Sequence, residues 1–381
     1  MRPSLRFPEF KDEWQEKRLG DVSDFCSYGL NSAAKKFDGR NKYIRITDIN
    51  EESREFSKNN LTSPSIINDK YLLDDDDVIF ARTGASVGKT YLYNKNDGKV
   101  YFAGFLIKFS IKYANPYFIF LQTLQPKYKN WVKVMSTRSG QPGINADEYK
   151  TFKVVLPSKK EQEKIADFLR GGDERMVLLE KKVGAMREYK KGVMSAIFSG
   201  KLRFKDENGN PYPDWEERRL EDISRNIPSN ITANNIGSMY SGRYIVYGAS
   251  GEVGKVDNYQ HTEAFTAIVK DGAGIGRIIW CEEKSSILGT LTAIYPKNTI
   301  NAKFLYYMLH QIKFEKYATG STIPHIYYKD FSRERFLIPV EEEQRKIADF
   351  LSAIDHKIEL EQTRLDRTKD FKKGLLQRMF A

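Results

Sequence analysis

The residues with the clearest chemical potential lie in a turn bounded by two glycines. The stretch Gly84-Ala-Ser-Val-Gly88-Lys89-Thr90 resembles a phosphate-binding loop. Such a loop has four residues between its glycines, whereas this stretch has three, so a nucleotide-hydrolysing site is not favoured. A related turn, Lys270-Asp-Gly-Ala-Gly-Ile-Gly276, is followed by Arg277-Ile278. A structural turn between two strands explains both stretches, but backbone amides beside a basic residue also suit contact with a phosphodiester.

The sequence contains no other recognisable catalytic constellation. Asn115-Pro116-Tyr117-Phe118 resembles the Asn-Pro-Pro-aromatic motif of amino-methyltransferases, but it lacks the second proline and an upstream glycine-rich cofactor loop, so we predict a helix start. His325 has no serine or cysteine nucleophile near it in the sequence. The 2 cysteines and 4 histidines are too few for a disulfide scaffold or a Cys/His-rich metal site. We therefore predict a chain with no catalytic residues, no metal and no cofactor of its own.

The composition is that of a folded, basic protein. The chain has 381 residues, of which 40% are hydrophobic and 30% charged, and its length predicts two or three domains. A total of 62 Lys and Arg against 51 Asp and Glu gives a net charge of +11, which favours a polyanionic partner such as nucleic acid. No apolar stretch approaches the ~18 residues of a membrane span, and the first ten residues carry no apolar signal core. We therefore expect a cytoplasmic protein.

The chain is an internal duplication. Glu161-Gln-Glu-Lys-Ile-Ala-Asp-Phe-Leu169 recurs as Glu343-Gln-Arg-Lys-Ile-Ala-Asp-Phe-Leu351, at an offset of 182 residues. The stretch from Glu13 to Ser23 recurs from Asp214 to Ser224 at an offset of 201, so the first copy is the longer. Since the ends of each copy remain alike while the middles differ, the order is variable block, repeated block, variable block, repeated block.

Each repeated block is predicted to be one long helix. Apolar residues recur every three or four positions along ~40 residues, or ~60 Å of helix, and Ser158 with Glu161 forms a capping-box pattern. Neither apolar seam can be buried alone, so we expect the two helices to pair antiparallel, as in a coiled coil, about a pseudo-twofold axis. The alternative is that each helix folds back on its own domain. Gly171-Gly172 predicts a kink or break in the first helix.

The variable blocks are predicted to be compact α+β domains. Strands are expected at 42–49, 77–84, 100–110 and 152–157, and one helix at 116–135, with similar patterns in the second block. The predicted division of the chain is a first variable domain at 1–156, a first repeated helix at 157–200, a second variable domain at 201–338 and a second repeated helix at 339–381.

These features together resemble the specificity subunit of Type I restriction–modification enzymes. The resemblance covers nearly the whole chain and rests on the repeats at Ile165 and Ile347, the Lys-Lys-Gly near each helix end, and the elements at Trp14 and Trp215. It implies a non-catalytic DNA-binding subunit in which each variable block is a target-recognition domain for one half of a split DNA site. The helices would then form the spacer.

The resemblance also implies partners. Two methyltransferase subunits would dock on the chain and supply the S-adenosylmethionine site and adenine methylation. Two restriction subunits, which are motor-nucleases using ATP and Mg²⁺, would add site-specific DNA cleavage.

Two pairs of turns are the predicted DNA contacts, because base edges are read by hydrogen bonds and register is set by phosphate contacts. The candidates in the first domain are Arg82, Thr83, Ser86, Lys89, Arg138, Ser139 and Gln141. The candidates in the second domain are Lys270, Asp271, Arg277, Ser321, Thr322, His325 and Tyr327. The alternative for each of them is a solvated loop residue.

Two other functions remain open from the sequence. One is a stand-alone nucleic-acid or protein scaffold that has no methyltransferase partner. The other is an NTPase that uses the Gly84 turn.

Overall fold

The computed structural model describes residues 3–51, 53–137, 141–232, 242–297, 299–320 and 322–380. The chain forms two compact units. Unit 1 comprises Met1–Leu178 and Arg364–Ala381, and unit 2 comprises Leu179–Thr363. Both long helices are thus shared between the units, whereas the four-part division drawn from the sequence stays a prediction. No helix in the described ranges is long and apolar enough to cross a membrane.

Unit 1 is built from short strands and helices that precede the first long helix. Its strands are β1 (Gln15–Arg18), β2 (Ser23–Tyr28), β3 (Ala34–Lys36), β4 (Lys42–Ile44), β5 (Thr62–Pro64), β6 (Asp77–Ala81), β7 (Thr90–Leu92), β8 (Val100–Phe102), β9 (Leu106–Ile111) and β10 (Lys153–Leu156). Its helices are α1 (Leu19–Val22), α2 (Pro116–Thr123), α3 (Pro126–Met135), α4 (Ala146–Lys150) and the first half of α5 (Lys159–Phe198).

Unit 2 repeats much of this order. Its strands are β11 (Glu216–Arg219), β12 (Ser224–Pro228), β13 (Tyr244–Gly248), β14 (Gly251–Val256), β15 (Phe265–Val269), β16 (Ile278–Cys281), β17 (Ser286–Ile287), β18 (Leu291–Pro296) and β19 (Arg335–Ile338). Its helices are α6 (Leu220–Ile223), α7 (Ala302–Leu309), α8 (Tyr328–Phe331) and the first part of α9 (Glu341–Phe380).

A four-stranded antiparallel sheet forms the centre of each unit. Its strand order is β2-β9-β6-β7 in unit 1 and β12-β18-β15-β16 in unit 2. Alternate residues of β6 face two cores: Phe80 packs toward the helices, whereas Ile79 packs on the opposite face. Because both faces are covered, the strand is buried throughout, and the loop that follows it starts from a fixed position.

The two long helices lie antiparallel within each unit. In unit 2, Lys182 pairs with Glu361 at 2.8 Å and Lys190 with Asp355 at 2.6 Å. In unit 1, Asp173 pairs with Lys372, the equivalent of the Lys190–Asp355 pair. The predicted α+β class and the antiparallel helix pair are confirmed. Each pair also packs on its own unit's α/β part, because apolar side chains from both helices join one core there.

The repeated Glu-Gln dipeptide anchors each long helix to its unit. Gln162 Oε1 accepts from the Asn115 backbone N–H at 2.9 Å, and its amide donates to the Pro157 carbonyl at 2.9 Å. Gln344 makes the same two bonds, to Asn301 and Pro339, at 2.9 Å each. In both units the asparagine caps the helix beside it, so this duplicated motif is explained by structure.

The preceding glutamate holds a buried ion pair. Glu343 accepts from Arg203 through both carboxylate oxygens at 2.8 Å and from the Trp215 indole N–H at 2.9 Å. In unit 1, Glu161 accepts hydrogen bonds in the same way from the Arg6 guanidinium and the Trp14 indole N–H. We call these two groups the Arg–Glu–Trp clusters.

Several local predictions need correction. The strand expected at 42–49 ends at Ile44, and the strand expected at 100–110 is two strands, β8 and β9. The helix expected at 116–135 is two helices, because Pro126 begins α3 and cannot continue α2. The long helix does not break at Gly171-Gly172, since α5 runs unbroken from Lys159 to Phe198 and its packed seam outweighs the low helix propensity of glycine. The capping box is half formed: Ser158 Oγ accepts from the Glu161 N–H at 3.4 Å, while the glutamate carboxylate binds its cluster instead.

Candidate nucleic-acid interface

The two turns singled out in the sequence meet in unit 1. The β6–β7 turn lies against the segment that follows position 140, through a β-bridge between Thr83 and Gly143. The Gly84 N–H donates to the Pro142 carbonyl at 3.0 Å, and the Ile144 N–H donates to the Arg82 carbonyl at 2.9 Å. The structure therefore places two distant chain segments at one end of the central sheet.

Unit 2 reproduces this backbone arrangement bond for bond. Asp271 and His325 form the equivalent bridge. The Gly272 N–H donates to Pro324 at 3.0 Å, and the Ile326 N–H donates to Lys270 at 2.9 Å. We call this paired-turn backbone the turn scaffold. The two units share it but carry different side chains on it.

One glycine closes each β-hairpin of the scaffold. Gly88 has φ +82° and Gly276 has φ +77°, conformations that L side chains rarely adopt. A Cβ at either position would also lie 2.5 Å from a packed side chain, that of Val132 or Phe314. These two glycines therefore fix the shape of the turns, which explains why the motif resembles a phosphate loop without being one.

Arg82 lies beside two aromatic residues in unit 1. Its guanidinium lies 4.8 Å from the centre of the Tyr28 ring, and its backbone N–H donates to the Phe105 backbone carbonyl at 3.0 Å. The Phe105 ring itself is exposed. Arginine and aromatic side chains together are typical of surfaces that contact nucleic-acid bases. Tyr28 and Phe105 were not predictable from the sequence, because only the folded sheet brings them beside the turn.

Lys89 is not a free cation in this structure. Its Nζ lies 2.5 Å from Glu51 Oε2, and the hydrogen bond from Lys89, with smaller contributions from nearby positive charges including Arg54, lowers the pKa of the Glu51 carboxyl. Of the other candidates in this unit, Ser86 is half-buried in the turn and Gln141 is exposed.

The candidates in unit 2 have a different chemistry. Asp271 Oδ1 lies 2.8 Å from His325 Nδ1, and these side chains are 32% and 38% exposed. Arg277 is directed to its own unit, because its Nη1 donates to the Ala249 carbonyl at 2.5 Å. The remaining candidates range from half-buried to exposed: Lys270, Thr322 and Tyr327. Arg138, Ser139 and Ser321 lie outside the described residues.

A second candidate surface lies on the long helices. Large apolar side chains are exposed at positions that correspond between the two repeats. In unit 1 they are Leu178 and Phe371, and in unit 2 they are Leu360 and Tyr189. We call these two pairs the helix patches. Within the part of the chain that the structure describes, no group of three or more His, Cys, Asp or Glu could hold a metal ion.

Comparisons with known proteins agree with this duplicated plan. The Type I restriction modification DNA specificity domain matches residues 11–184 and 212–369. The Type I restriction enzyme MjaVIII specificity subunit of Methanocaldococcus jannaschii is 22% identical, with 98% of this chain and 92% of that protein covered. The specificity (S) subunit of the M. genitalium Type I system, whose crystal structure is known, has a TM-score of 0.68 at 16% identity, covering 100% of this chain and 99% of that one. A chain from a structural study of complex assembly in a Type I system has a TM-score of 0.54 at 16% identity and 98% coverage of both.

Proposed function

This chain belongs to the Type I restriction–modification DNA specificity family, and from that premise we propose that each unit reads one half of a bipartite DNA site. The observation that carries the proposal is the turn scaffold. A repeated backbone with dissimilar side chains suits two readers that share a docking geometry and recognise different bases. The chain itself supplies recognition, and chemistry is supplied by its partners.

Electrostatics supports binding to double-stranded DNA. The net charge of +11 favours a polyanion, and phosphate contacts by basic side chains make affinity fall steeply with salt. With six to ten such contacts, affinity should fall by about 10³–10⁵ between 50 and 200 mM salt. Titration of labelled duplex DNA at several salt concentrations measures this slope, and an affinity that does not change with salt would contradict the proposal.

The long helices are proposed to dock the methyltransferases and to set the spacing between half-sites. The two helix patches are equivalent between repeats, which suits two copies of one partner. We propose that these copies are methyltransferase subunits carrying S-adenosylmethionine, and that two restriction subunits using ATP and Mg²⁺ complete the complex. Changing Tyr189 and Leu360 to serine should halve the methyltransferase that co-purifies with this chain. Val134→Ser, at an exposed position outside the two long helices, serves as the control.

The first test is a map of genomic adenine methylation by single-molecule sequencing, in cells with and without this gene. We expect one split motif to disappear with the gene. If no motif disappears, co-purification decides whether the chain is a scaffold without a methyltransferase, in which case the proposed partners are wrong.

A second test addresses the two readers separately. Replacing residues 205–338 with the corresponding block of another family member should change one half-site and leave the other intact. Inserting whole helical turns at equivalent points in α5 and α9 should change the spacer alone. If both half-sites change together after the domain replacement, the proposal of independent readers is wrong.

A further inference from the structure

The side chains on the scaffold bridge of unit 2 form a hydrogen-bonded pair that unit 1 lacks. Asp271 and His325 are bridged through their backbones and also joined by their side chains, Oδ1 to Nδ1, at 2.8 Å. The equivalent positions of unit 1 hold Thr83 and Gly143, which cannot form such a pair. Since the backbone hydrogen bonds are the same in both units, the two turn scaffolds differ at this position only in the side chains that they carry.

The pairing defines which atoms remain available to a ligand. An ionised carboxylate only accepts hydrogen bonds, so Nδ1 of His325 carries the proton and donates to Asp271. In the neutral ring, Nε2 then has a free lone pair. In the described ranges of the chain, no hydrogen bond occupies His325 Nε2 or the second carboxylate oxygen of Asp271. Both side chains are about one-third exposed, so the pair is accessible to a ligand.

Two acceptors select a base that offers hydrogen-bond donors. In the major groove, cytosine N4 and adenine N6 carry amino groups, whereas guanine O6 and N7 and thymine O4 only accept. A carboxylate facing an accepting edge would lose its hydration without gaining a hydrogen bond, which disfavours guanine and thymine.

We propose that the Asp271–His325 pair reads the amino group of one cytosine or adenine in the half-site bound by unit 2. This assignment rests on the proposed function, since it requires unit 2 to face DNA. Asp271 accepts from the base and also sets the ring tautomer, and His325 Nε2 is the second acceptor. Unit 1 reads its half-site without such a pair.

The test is selection of bound duplexes by the full-length chain from a library of randomised DNA, followed by sequencing. Asp271→Asn keeps the size of the side chain but puts an amide donor where a carboxylate oxygen stood. It should reduce the preference for cytosine or adenine at one position of one half-site by about tenfold or more, since a mismatched base pair typically costs on that order. His325→Phe keeps a planar ring but removes both ring nitrogens, so it should affect the same position. Glu16→Gln, the same carboxylate-to-amide change at an exposed pair with Lys153 in unit 1, is the control and should leave both half-sites unchanged.

The outcomes distinguish base reading by the Asp271–His325 pair from the proposed function. If both unit 2 variants lose base discrimination at the same single position, the proposed role of the pair is supported. If the wild-type chain and both unit 2 variants select the same split site equally well, the proposed role of the Asp271–His325 pair is wrong. The proposed function then still stands. A wild-type chain that selects no split site overturns both. Circular dichroism and thermal melting of each variant verify that a lost preference is not a lost fold.

Discussion

Replacing Glu343 with glutamine should destabilise unit 2, because this buried carboxylate accepts hydrogen bonds from three converging groups. It binds the Arg203 guanidinium at two points, the Trp215 indole N–H, and the Phe204 backbone N–H at 3.3 Å. The hydrogen bonds to Glu343 raise the pKa of Arg203, so the arginine keeps its charge. Glutamine offers one carbonyl oxygen and turns an NH₂ group toward these donors.

The size of the effect follows from burial. Breaking a fully buried ion pair by removing one partner costs about 3–5 kcal/mol. The Glu343 side chain is 0% exposed but that of Arg203 is 29% exposed, so water can solvate part of the guanidinium left behind. We therefore expect about 2–3 kcal/mol, which for a unit of this size corresponds to a melting temperature lower by roughly 5–10 °C.

Hydrogen exchange followed by mass spectrometry is the suitable assay, because a two-unit chain does not unfold in one step. Amides of the β11–β19 pair and the first turns of α9 should exchange faster in Glu343→Gln. The control is Glu341→Gln, which removes only an exposed pair with Arg345 and should change stability by less than ~0.5 kcal/mol. If the two variants exchange alike, the buried cluster does not anchor the helix, and the reasoning is wrong.

Four further predictions concern three single sites. Glu51→Gln should free Lys89 to contact a DNA phosphate and so strengthen DNA binding. The slope of log affinity against log salt concentration should become steeper by about 0.9, and an unchanged slope would contradict this. The pKa of Glu51 is lowered in the folded state. The stability contributed by the Glu51–Lys89 pair should therefore be present above the ordinary pKa of Glu51 and be lost as the pH falls through the lowered value. Measuring the melting temperature at a series of acidic pH values tests this. Burial raises the pKa of the Cys281 thiol. Iodoacetamide at pH 8 should therefore label the half-buried Cys26 and leave Cys281 unmodified until the chain unfolds. Equal labelling rates for the two cysteines would show that Cys281 is not buried. Gly276→Ala should cost about 1–3 kcal/mol through its positive φ and the Phe314 contact, and faster hydrogen exchange confined to unit 2 would show it.

The architecture was predictable because the repeat is long and its period is clear. The residues that are identical in the two repeats include the glutamates of the Arg–Glu–Trp clusters. They also include the glutamines that bind the helix-capping asparagines. The sequence therefore marks the anchors of both long helices. Helix bounds inside the variable blocks were less predictable. Pro126 is compatible with either a kink or a new helix, and the packing around it selects the new helix.

The candidate site was predictable as two turns but not as a set of contacts. Glycine spacing identified the turns, whereas their meeting depends on β-bridges between residues about 55–60 positions apart. Glu51 gave no signal, because its pairing with Lys89 exists only after a loop folds back. Tyr28 and Phe105 are ordinary strand-end aromatics in the sequence, and only the sheet register places them near Arg82.

The sharing of the long helices has a consequence for the order in which the chain folds. Unit 2 is one uninterrupted segment, Leu179–Thr363, so all of its core is synthesised before Met379, a core residue of unit 1. Unit 1 begins earlier in the sequence, yet its core includes Met379 and stays incomplete until that residue has been made. We therefore expect the segment made later to complete its fold first, while the earlier one waits with part of its apolar surface exposed. A released chain truncated after residue 363 should be sensitive to protease in unit 1 and protected in unit 2.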